Sequence, residues 1–154
     1  MATTVTGANC KVTLTESYDL NGVSYGNTTS NTIVNNGRVS QRIMQVNPTD
    51  ESFVHTDIIN LSTADSAGTV VKSQYVYFRI TNLDDTNNVI LIIYNGADYL
   101  YFTVKPSEFL LLFDHNVDAR TSIGAVTLAQ IQEISGYSSH ASDSVDIEFI
   151  MVTK

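Results

Sequence analysis

The chain has 154 residues, carries a formal net charge of −8 at pH 7, and is 43 % hydrophobic and 16 % charged. This length suits one domain, and the composition is that of a globular protein with fewer charges than usual. The acidic balance argues against nucleic-acid binding, which requires a basic stripe to displace counterions, and it disfavours an anionic membrane surface. We therefore expect no nucleic-acid partner and no membrane partner.

The start of the chain carries no targeting signal. MATTVTGANCKV lacks the basic and apolar regions of a signal peptide, and no apolar run approaches the ~20 residues that span a bilayer. We therefore expect synthesis in a cytoplasm without secretion. The single cysteine, Cys10, excludes an internal disulfide and a cysteine-based zinc site.

The first third of the chain predicts strands with a period of two. KVTLTESYDL places its apolar side chains on one face, and Asn21-Gly22 then gives the strongest two-residue hairpin signal. The long polar strand VSYGNTTSNTIV follows. Further strands are predicted in RVSQRIMQV, SFVHTDIINL and VVKSQYVYFRITN, with a loop at STADSAG, residues 62–68. In VVKSQYVYFRITN, alternation predicts Val76, Phe78 and Ile80 on the inward face and Tyr75, Tyr77 and Arg79 on the outward face.

Three apolar runs follow within residues 88–113, NVILIIYNGADYLYFTVKPSEFLLLF. A sandwich strand with one face in water should alternate, and these runs do not. Either a long loop such as 114–126 roofs their second face, or another subunit covers it. Three neighbouring strands would expose several hundred Å² of apolar surface, which monomers rarely leave open, so we favour a subunit interface. The candidate interface residues are Ile90, Ile92, Tyr94, Tyr99, Tyr101, Phe109, Leu111 and Phe113.

The last forty residues contain one ambiguous segment. DHNVDARTSIGAV, residues 114–126, predicts a long loop. In TLAQIQEIS, Thr127 and Gln130 form a capping box for a short helix near 127–134, but a strand over 130–138 is favoured because strands surround it. SVDIEFIMV is a final strand, with Val145, Ile147, Phe149 and Met151 predicted to point inward and Asp146 and Glu148 outward. Nine or ten short strands predict an all-β sandwich or barrel, one domain over 1–154, with at most one short helix.

No motif for catalysis, cofactor binding or metal binding stands out. GxSxG, GxxxxGK[ST], HExxH and GxGxxG are all absent from the sequence. The residue types of a catalytic triad, Ser138, His140 and Asp143, crowd into one loop without a nucleophile elbow. Acidic groups at Asp84-Asp85 and in DHNVD, 114–118, are interpreted as solvated turns. We expect no catalytic residue, no cofactor and no metal.

Residues 77–113, YFRITNLDDTNNVILIIYNGADYLYFTVKPSEFLLLF, resemble a module of small virion structural proteins of tailed bacteriophages. In that module a strand ending in RI-N-D-TN pairs with a second strand, and a K-PGEF-LL turn leads to a third. Ser107 stands here where those proteins have glycine. The two ends of the chain also resemble cyanophage and marine-phage proteins of this size, so the resemblance covers most of the sequence.

The resemblance implies a jelly-roll-like β-sandwich that is a virion component. We expect a capsid decoration (cement) protein, with a tail, neck or fibre subunit or a carbohydrate-binding module as the alternatives. The implied partners are the major capsid protein, other virion proteins and further copies of the chain, with a homotrimer favoured because decoration proteins commonly lie on local three-fold axes. Residues 1–9 then have two interpretations, a flexible arm that orders on the shell and a disordered tail.

Overall fold

The computed structural model of the protein describes residues 9–34, 37–48, 55–60, 74–113, 116–119 and 127–153. Within these ranges the fold is all-β, and no helix occurs. The helix considered at 127–134 is therefore wrong, since two strands, Thr127–Gln130 and Glu133–Ser138, occupy this segment and its continuation. The twelve strands in the described ranges are β1 Cys10–Leu20, β2 Val23–Ile33, β3 Arg38–Val46, β4 Thr56–Asn60, β5 Tyr75–Asn82, β6 Val89–Tyr94, β7 Tyr99–Val104, β8 Phe109–Leu112, β9 Asn116–Ala119, β10 Thr127–Gln130, β11 Glu133–Ser138 and β12 Val145–Thr153.

Eight strands form two antiparallel sheets packed as a sandwich, in the orders β4-β11-β6-β7 and β3-β12-β5-β8. The four antiparallel strand pairs are nested, as in a long hairpin that has been folded over on itself. The hairpin β6–β7 is innermost, and the pairs β5–β8, β4–β11 and β3–β12 follow outward along the chain, alternating between the sheets. This wrapped double ribbon is the topology of a jelly roll, which confirms the predicted fold class.

The core lies between the sheets and follows the period-two pattern of the sequence. In β12 the alternate residues are buried as predicted, while the intervening Asp146 is exposed. Each large apolar side chain removed from water in this way stabilises the fold by roughly 1.5–3 kcal/mol before entropy is subtracted. The inward residues of β12 are Val145, Ile147, Phe149 and Met151.

An aromatic cluster occupies the middle of the core. The ring of Phe78 lies 6.1 Å from that of Tyr75 and 6.0 Å from that of Phe149. Tyr75 was predicted to point outward, and this is wrong: its side chain is buried in the core. The register between β5 and β12 shifts at Val152/Thr153, opposite Tyr75, and an irregularity of this kind changes the face on which a strand residue lies.

Asn82 fastens the loop between β5 and β6 to the sandwich. The side chain is fully buried, and its amide nitrogen donates hydrogen bonds to the carbonyls of Asn87, at 2.9 Å, and Val104, at 3.1 Å. Its side-chain oxygen accepts from the backbone N–H of Asp84 at 3.0 Å. One polar side chain thus satisfies three backbone groups next to the core, which explains why an asparagine is buried there.

The turn before β8 retains the conformation that glycine favours. The backbone N–H of Glu108 donates to the carbonyl of Lys105 at 3.0 Å, which closes a four-residue turn around Pro106 and Ser107. Ser107 has a φ of 61°, in the left-handed region. Proline second and a positive φ third are the features of a type II turn, whose third position prefers glycine. The serine therefore carries backbone strain that glycine would relieve.

The remaining four strands form two separate hairpins, β1–β2 and β9–β10. β9 lies inside the segment 114–126, which was predicted to be a loop, so that prediction is wrong at 116–119. Residues 114–115 and 120–126 of the predicted loop lie outside the described residues, as do the predicted loop 62–68 and all of the predicted arm 1–9 except Asn9.

Candidate functional site

The β1–β2 hairpin, called here the hairpin arm, is a two-stranded ribbon of eleven paired positions from Cys10↔Ile33 to Leu20↔Val23. Within the described part of the chain its strands pair only with each other. At the end of the ribbon, Asn21 and Gly22 have φ values of 53° and 77°. Positive φ at both central residues is the mark of a type I′ turn, so the predicted hairpin is confirmed.

The two faces of the hairpin arm differ sharply. Cross-strand partners share a face, so alternation places every large apolar side chain of the ribbon on one side and only small or polar residues on the other. Most of the apolar face is open to solvent, with Tyr18 60 % exposed. Its rings of Tyr18 and Tyr25 stack with centroids 5.4 Å apart. The exposed apolar residues are Leu14, Tyr18, Leu20, Val23 and Tyr25.

Gly26 keeps the ribbon regular at one tight point. It lies opposite Ser17, and a Cβ built there would clash with the backbone carbonyl oxygen of Glu16. Glycine is therefore required for the strands to approach at this rung. The close pairing and the turn together make the hairpin arm a defined element, although few of its side chains reach the body of the protein.

The outer face of β6 and β7, called here the tyrosine face, carries five of the eight candidate interface residues. Tyr94 and Tyr99 stack at 4.6 Å between centroids with an interplanar angle of 22°, and Tyr101 is 62 % exposed. Ile90 is half-buried. Ile92 is only 2 % exposed, which corrects its assignment to an open interface: neighbouring groups already cover it within the protomer.

The outer face of β8, called here the phenylalanine face, carries the other three candidates. Phe109 and Phe113 are exposed, and Leu111 is half-buried. This face belongs to the opposite sheet from β6 and β7. The prediction that the three apolar runs are neighbouring strands with one shared patch is therefore wrong. Because the chain crosses from one sheet to the other at 105–108, the structure divides the candidates between two separate faces.

A cavity of about 370 Å³ lies between the phenylalanine face and the base of the hairpin arm. Its floor is the outer face of β5, β8 and β12, and residues 10–14 of β1 form a wall. The residues that line the cavity include Lys11, Leu14, Arg79, Phe109 and Phe113.

Charge and burial shape the floor of this cavity. Arg79 forms an ion pair with Glu148, which also accepts a hydrogen bond from Gln41 at 2.7 Å. The Nε of Arg79 is buried and has no hydrogen-bond partner among the described residues. Burial is the largest influence on the pKa of Tyr77 and raises it. The guanidinium of Arg79 lowers this pKa by less, and Cys10 raises it. The cavity thus combines aromatic walls with a cation that has one free donor.

The remaining candidates for chemistry are explained by local turns. The hydroxyl of Ser138 accepts from the backbone N–H of His140 at 3.1 Å, and Nδ1 of His140 accepts from the backbone N–H of Asp143 at 3.1 Å. The hydroxyl therefore contacts the backbone of the histidine, where a nucleophile would contact its ring.

The acidic positions considered for cations behave similarly. Oδ1 of Asp84 accepts from the backbone N–H groups of Asn87, at 2.6 Å, and Thr86, at 2.7 Å, and these hydrogen bonds lower the pKa of Asp84. The described ranges contain no group of three or more His, Cys, Asp or Glu side chains placed to hold a metal. Asp114 and His115 lie outside them. In the same ranges, no helix is long and apolar enough to cross a bilayer.

Sequence reasoning missed the exposure of the apolar face of the hairpin arm, although its alternation was visible. Only the structure reveals that no sheet among the described residues covers this face. It also missed Val39 and Ile43, which are exposed on the outer face of β3. Comparison of the chain with protein-family models, curated proteins and solved structures finds no match.

Proposed function

We propose that the protein is a virion structural protein, a decoration (cement) protein that binds the outside of a bacteriophage head and stabilises it. The observation that carries the proposal is the exposure of large aromatic side chains outside a complete core. Tyr101, Phe109 and Phe113 lie on outer faces and are 62 %, 54 % and 46 % exposed in the monomer. Exposed apolar groups of this kind mark surfaces that bind other proteins.

The chemistry of these faces suits a broad protein contact. Aromatic side chains bury much area and are enriched at interfaces, and low charge keeps the desolvation cost small. Two acidic residues lie in register with the residues of the tyrosine face. Glu133 pairs directly with Tyr94, and Asp57 pairs with Ser135, whose partner on the other side is Ile92. We infer that this face meets a shell surface that supplies basic groups around an apolar centre.

Stabilisation of the head follows from mass action. A protein that binds only the assembled, native shell lowers the free energy of that state by RT ln(1 + [L]/Kd), which is about 2.7 kcal/mol for each site at a hundredfold excess over Kd. Many equivalent sites on one shell multiply this effect. No chemical step is required, so a jelly roll with adhesive outer faces is sufficient.

Deleting the gene from its phage, or stripping the protein from particles, tests the proposal. Particles without the protein should assemble and lose genome at lower temperature or under milder osmotic shock, and adding back the protein should restore resistance. Tyr101→Lys should fail to restore it, because it places an unpaired charge in the contact. Ala141→Lys, which adds the same charge on the exposed 139–144 loop, should restore it fully. Equal resistance with and without the protein would contradict the proposal.

One observation favours a second function, carbohydrate recognition during host adsorption. The stacked pair Tyr94–Tyr99 beside Tyr101 forms an aromatic platform of the kind on which sugar rings stack. The jelly-roll fold also occurs in lectin domains, which is an argument by fold analogy alone. Particles that resist stress normally but no longer adsorb to cells after loss of the protein would support this function, and a glycan-binding screen with Tyr101→Ala as the control would test it.

A further inference from the structure

The apolar face of the hairpin arm continues beyond the body of its own protomer. Val12 and Cys10, at the base, are half-buried, whereas the apolar residues from Leu14 to the turn are exposed. We propose that the tip of the hairpin arm, residues 14–29, docks onto a second copy of this chain and fills the cavity beside the phenylalanine face of that copy.

The tip needs a partner to be stable. An isolated two-stranded hairpin is at best marginally stable in water, and this ribbon has no third strand among the described residues. One face is already suited to solvent, because its residues are small or polar. The other presents a stacked tyrosine pair with leucine and valine at the turn, which are side chains that gain free energy when they are buried.

The cavity has room for a large side chain of the tip, but the tip of the same protomer cannot reach it. A volume of about 370 Å³, walled by aromatic side chains, falls in the range of binding pockets and admits an aromatic anchor. Leu14 of the same hairpin arm already forms part of the wall. Leu20 lies six residues further along an extended strand, roughly 20 Å away, so only another chain can bring its tip to this cavity.

Charge favours docking of the tip at this cavity over docking at the tyrosine face. The tip carries two acidic residues, Glu16 and Asp19, and no basic residue. The cavity contains Arg79, whose buried Nε has no hydrogen-bond partner among the described residues and would be satisfied by an incoming carboxylate or carbonyl. On the tyrosine face the charged groups are acidic, so the tip would be repelled there.

The insertion of a tip from one chain into the cavity of the next also favours an assembly of identical chains. A tip that enters a different surface on its neighbour makes a head-to-tail contact, and such contacts close into rings when the rotation permits. Every subunit then gives one tip and receives one, so both exposed surfaces are covered at once. The homotrimer implied by the resemblance to decoration proteins is one such ring. This inference does not require a viral shell, and it stands or fails separately from the proposed function.

Light scattering of the full chain with matched lysine variants tests the role of the apolar face. The unmodified chain and Ser17→Lys, on the polar face of the arm, should form the same closed oligomer at micromolar concentration. Tyr18→Lys, one residue away but on the apolar face, should raise the dissociation constant at least about 30-fold, the effect of losing an interface anchor. A monomer at 50 µM for the unmodified chain, or equal association of both variants, would overturn the proposal.

A mixing experiment locates the docking site of the tip. It remains informative if the Tyr18→Lys substitution prevents the hairpin arm from folding. Two variants in a Cys10→Ser background, one with Leu20→Cys and the other with Phe109→Cys, are mixed and oxidised gently. The proposal predicts a disulfide-linked heterodimer as the main product. Replacing the first partner with Ser17→Cys, on the polar face, should reduce its yield severalfold. Equal yields from both pairs, or linkage of Leu20→Cys to Tyr101→Cys in preference to Phe109→Cys, would contradict the proposed docking site.

Discussion

The sandwich and the hairpin arm are built from strands with the same alternation but have opposite environments. In β12 the apolar positions are buried by the facing sheet, whereas in the outer part of β1 the corresponding positions are about half to two-thirds exposed. Period two therefore determines which residues share a face, and says nothing about what covers that face. In the sandwich the chain supplies its own cover. In the hairpin arm no described residue supplies the cover, and we propose that a second copy of the chain does.

The largest expected difference between the regions is in the response to aromatic truncation. Phe78→Ala should lower the free energy of unfolding by about 4 kcal/mol, because it opens a cavity in the aromatic cluster. Tyr18→Ala should change the unfolding of the dilute monomer by less than about 1 kcal/mol, since the ring is exposed. Urea denaturation at low protein concentration measures both. Similar losses would mean that the arm and the sandwich unfold as one unit.

Removal of hydrogen bonds should also lower the free energy of unfolding more in the sandwich than in the hairpin arm, by a smaller difference than aromatic truncation. Asn82→Ala removes three hydrogen bonds next to the core and should cost about 3 kcal/mol, because the abandoned carbonyls are partly or fully buried. Thr15→Ala removes a contact between Thr15 and Thr28 hydroxyls, 3.3 Å apart and exposed, and should cost less than about 0.5 kcal/mol. The same denaturation experiment applies, and a small loss for Asn82→Ala would refute the role given to this side chain.

Turn strain gives a prediction of the opposite sign. Ser107→Gly should stabilise the sandwich by about 1 kcal/mol, because glycine adopts the positive φ at 61° without a Cβ penalty. Asn21→Gly, at the turn of the arm, should leave the melting temperature unchanged, since asparagine tolerates this conformation and we expect the arm to unfold separately from the sandwich. Thermal unfolding followed by circular dichroism distinguishes the two variants. Destabilisation by Ser107→Gly would show that the serine side chain has a role of its own.

The smallest expected effect depends on pH. The pKa of Asp84 is lowered by hydrogen bonds from the backbone, so its carboxylate contributes stability above the ordinary value of 3.8 and loses it as the pH falls through the folded value. Asp84→Asn keeps an oxygen acceptor without the charge, and its melting temperature should fall less steeply than that of the unmodified chain below pH 4. Parallel pH profiles for the two proteins would contradict this assignment.

Much of the fold was accessible from the sequence because its signals are local. Alternation and the Asn21-Gly22 turn predicted the hairpin, and the inward residues of β12 were correct. Strand pairing was not accessible, because β5 pairs with β8 and β12 across long stretches of chain that carry no local signal. For the same reason three consecutive apolar runs were assigned to one surface, although the turn at 105–108 sends the third to the opposite sheet.

The errors at the candidate site also have physical causes. Ile92 and Tyr101 are cross-strand neighbours on one face, yet the first is buried and the second is exposed. The alternating pattern predicts the same exposure for both residues. It cannot show that larger neighbouring side chains shield the shorter side chain of Ile92. The capping box at Thr127 satisfied the local rule for a helix, but pairing with β9 places the residue in a strand. Tertiary pairing overrides such weak local preferences.

Amide hydrogen exchange at two concentrations tests the central claim that the sandwich is covered by its own chain and the arm by another. At submicromolar concentration, amides of β5, β6 and β12 that bond within the sheets should exchange slowly, and those of β1 and β2 quickly, because local opening of the arm costs little. At 100 µM the tip amides should become protected while the sandwich amides stay unchanged. Arm amides that are as protected as those of the sandwich at both concentrations would contradict the account, and so would arm amides that stay unprotected at 100 µM.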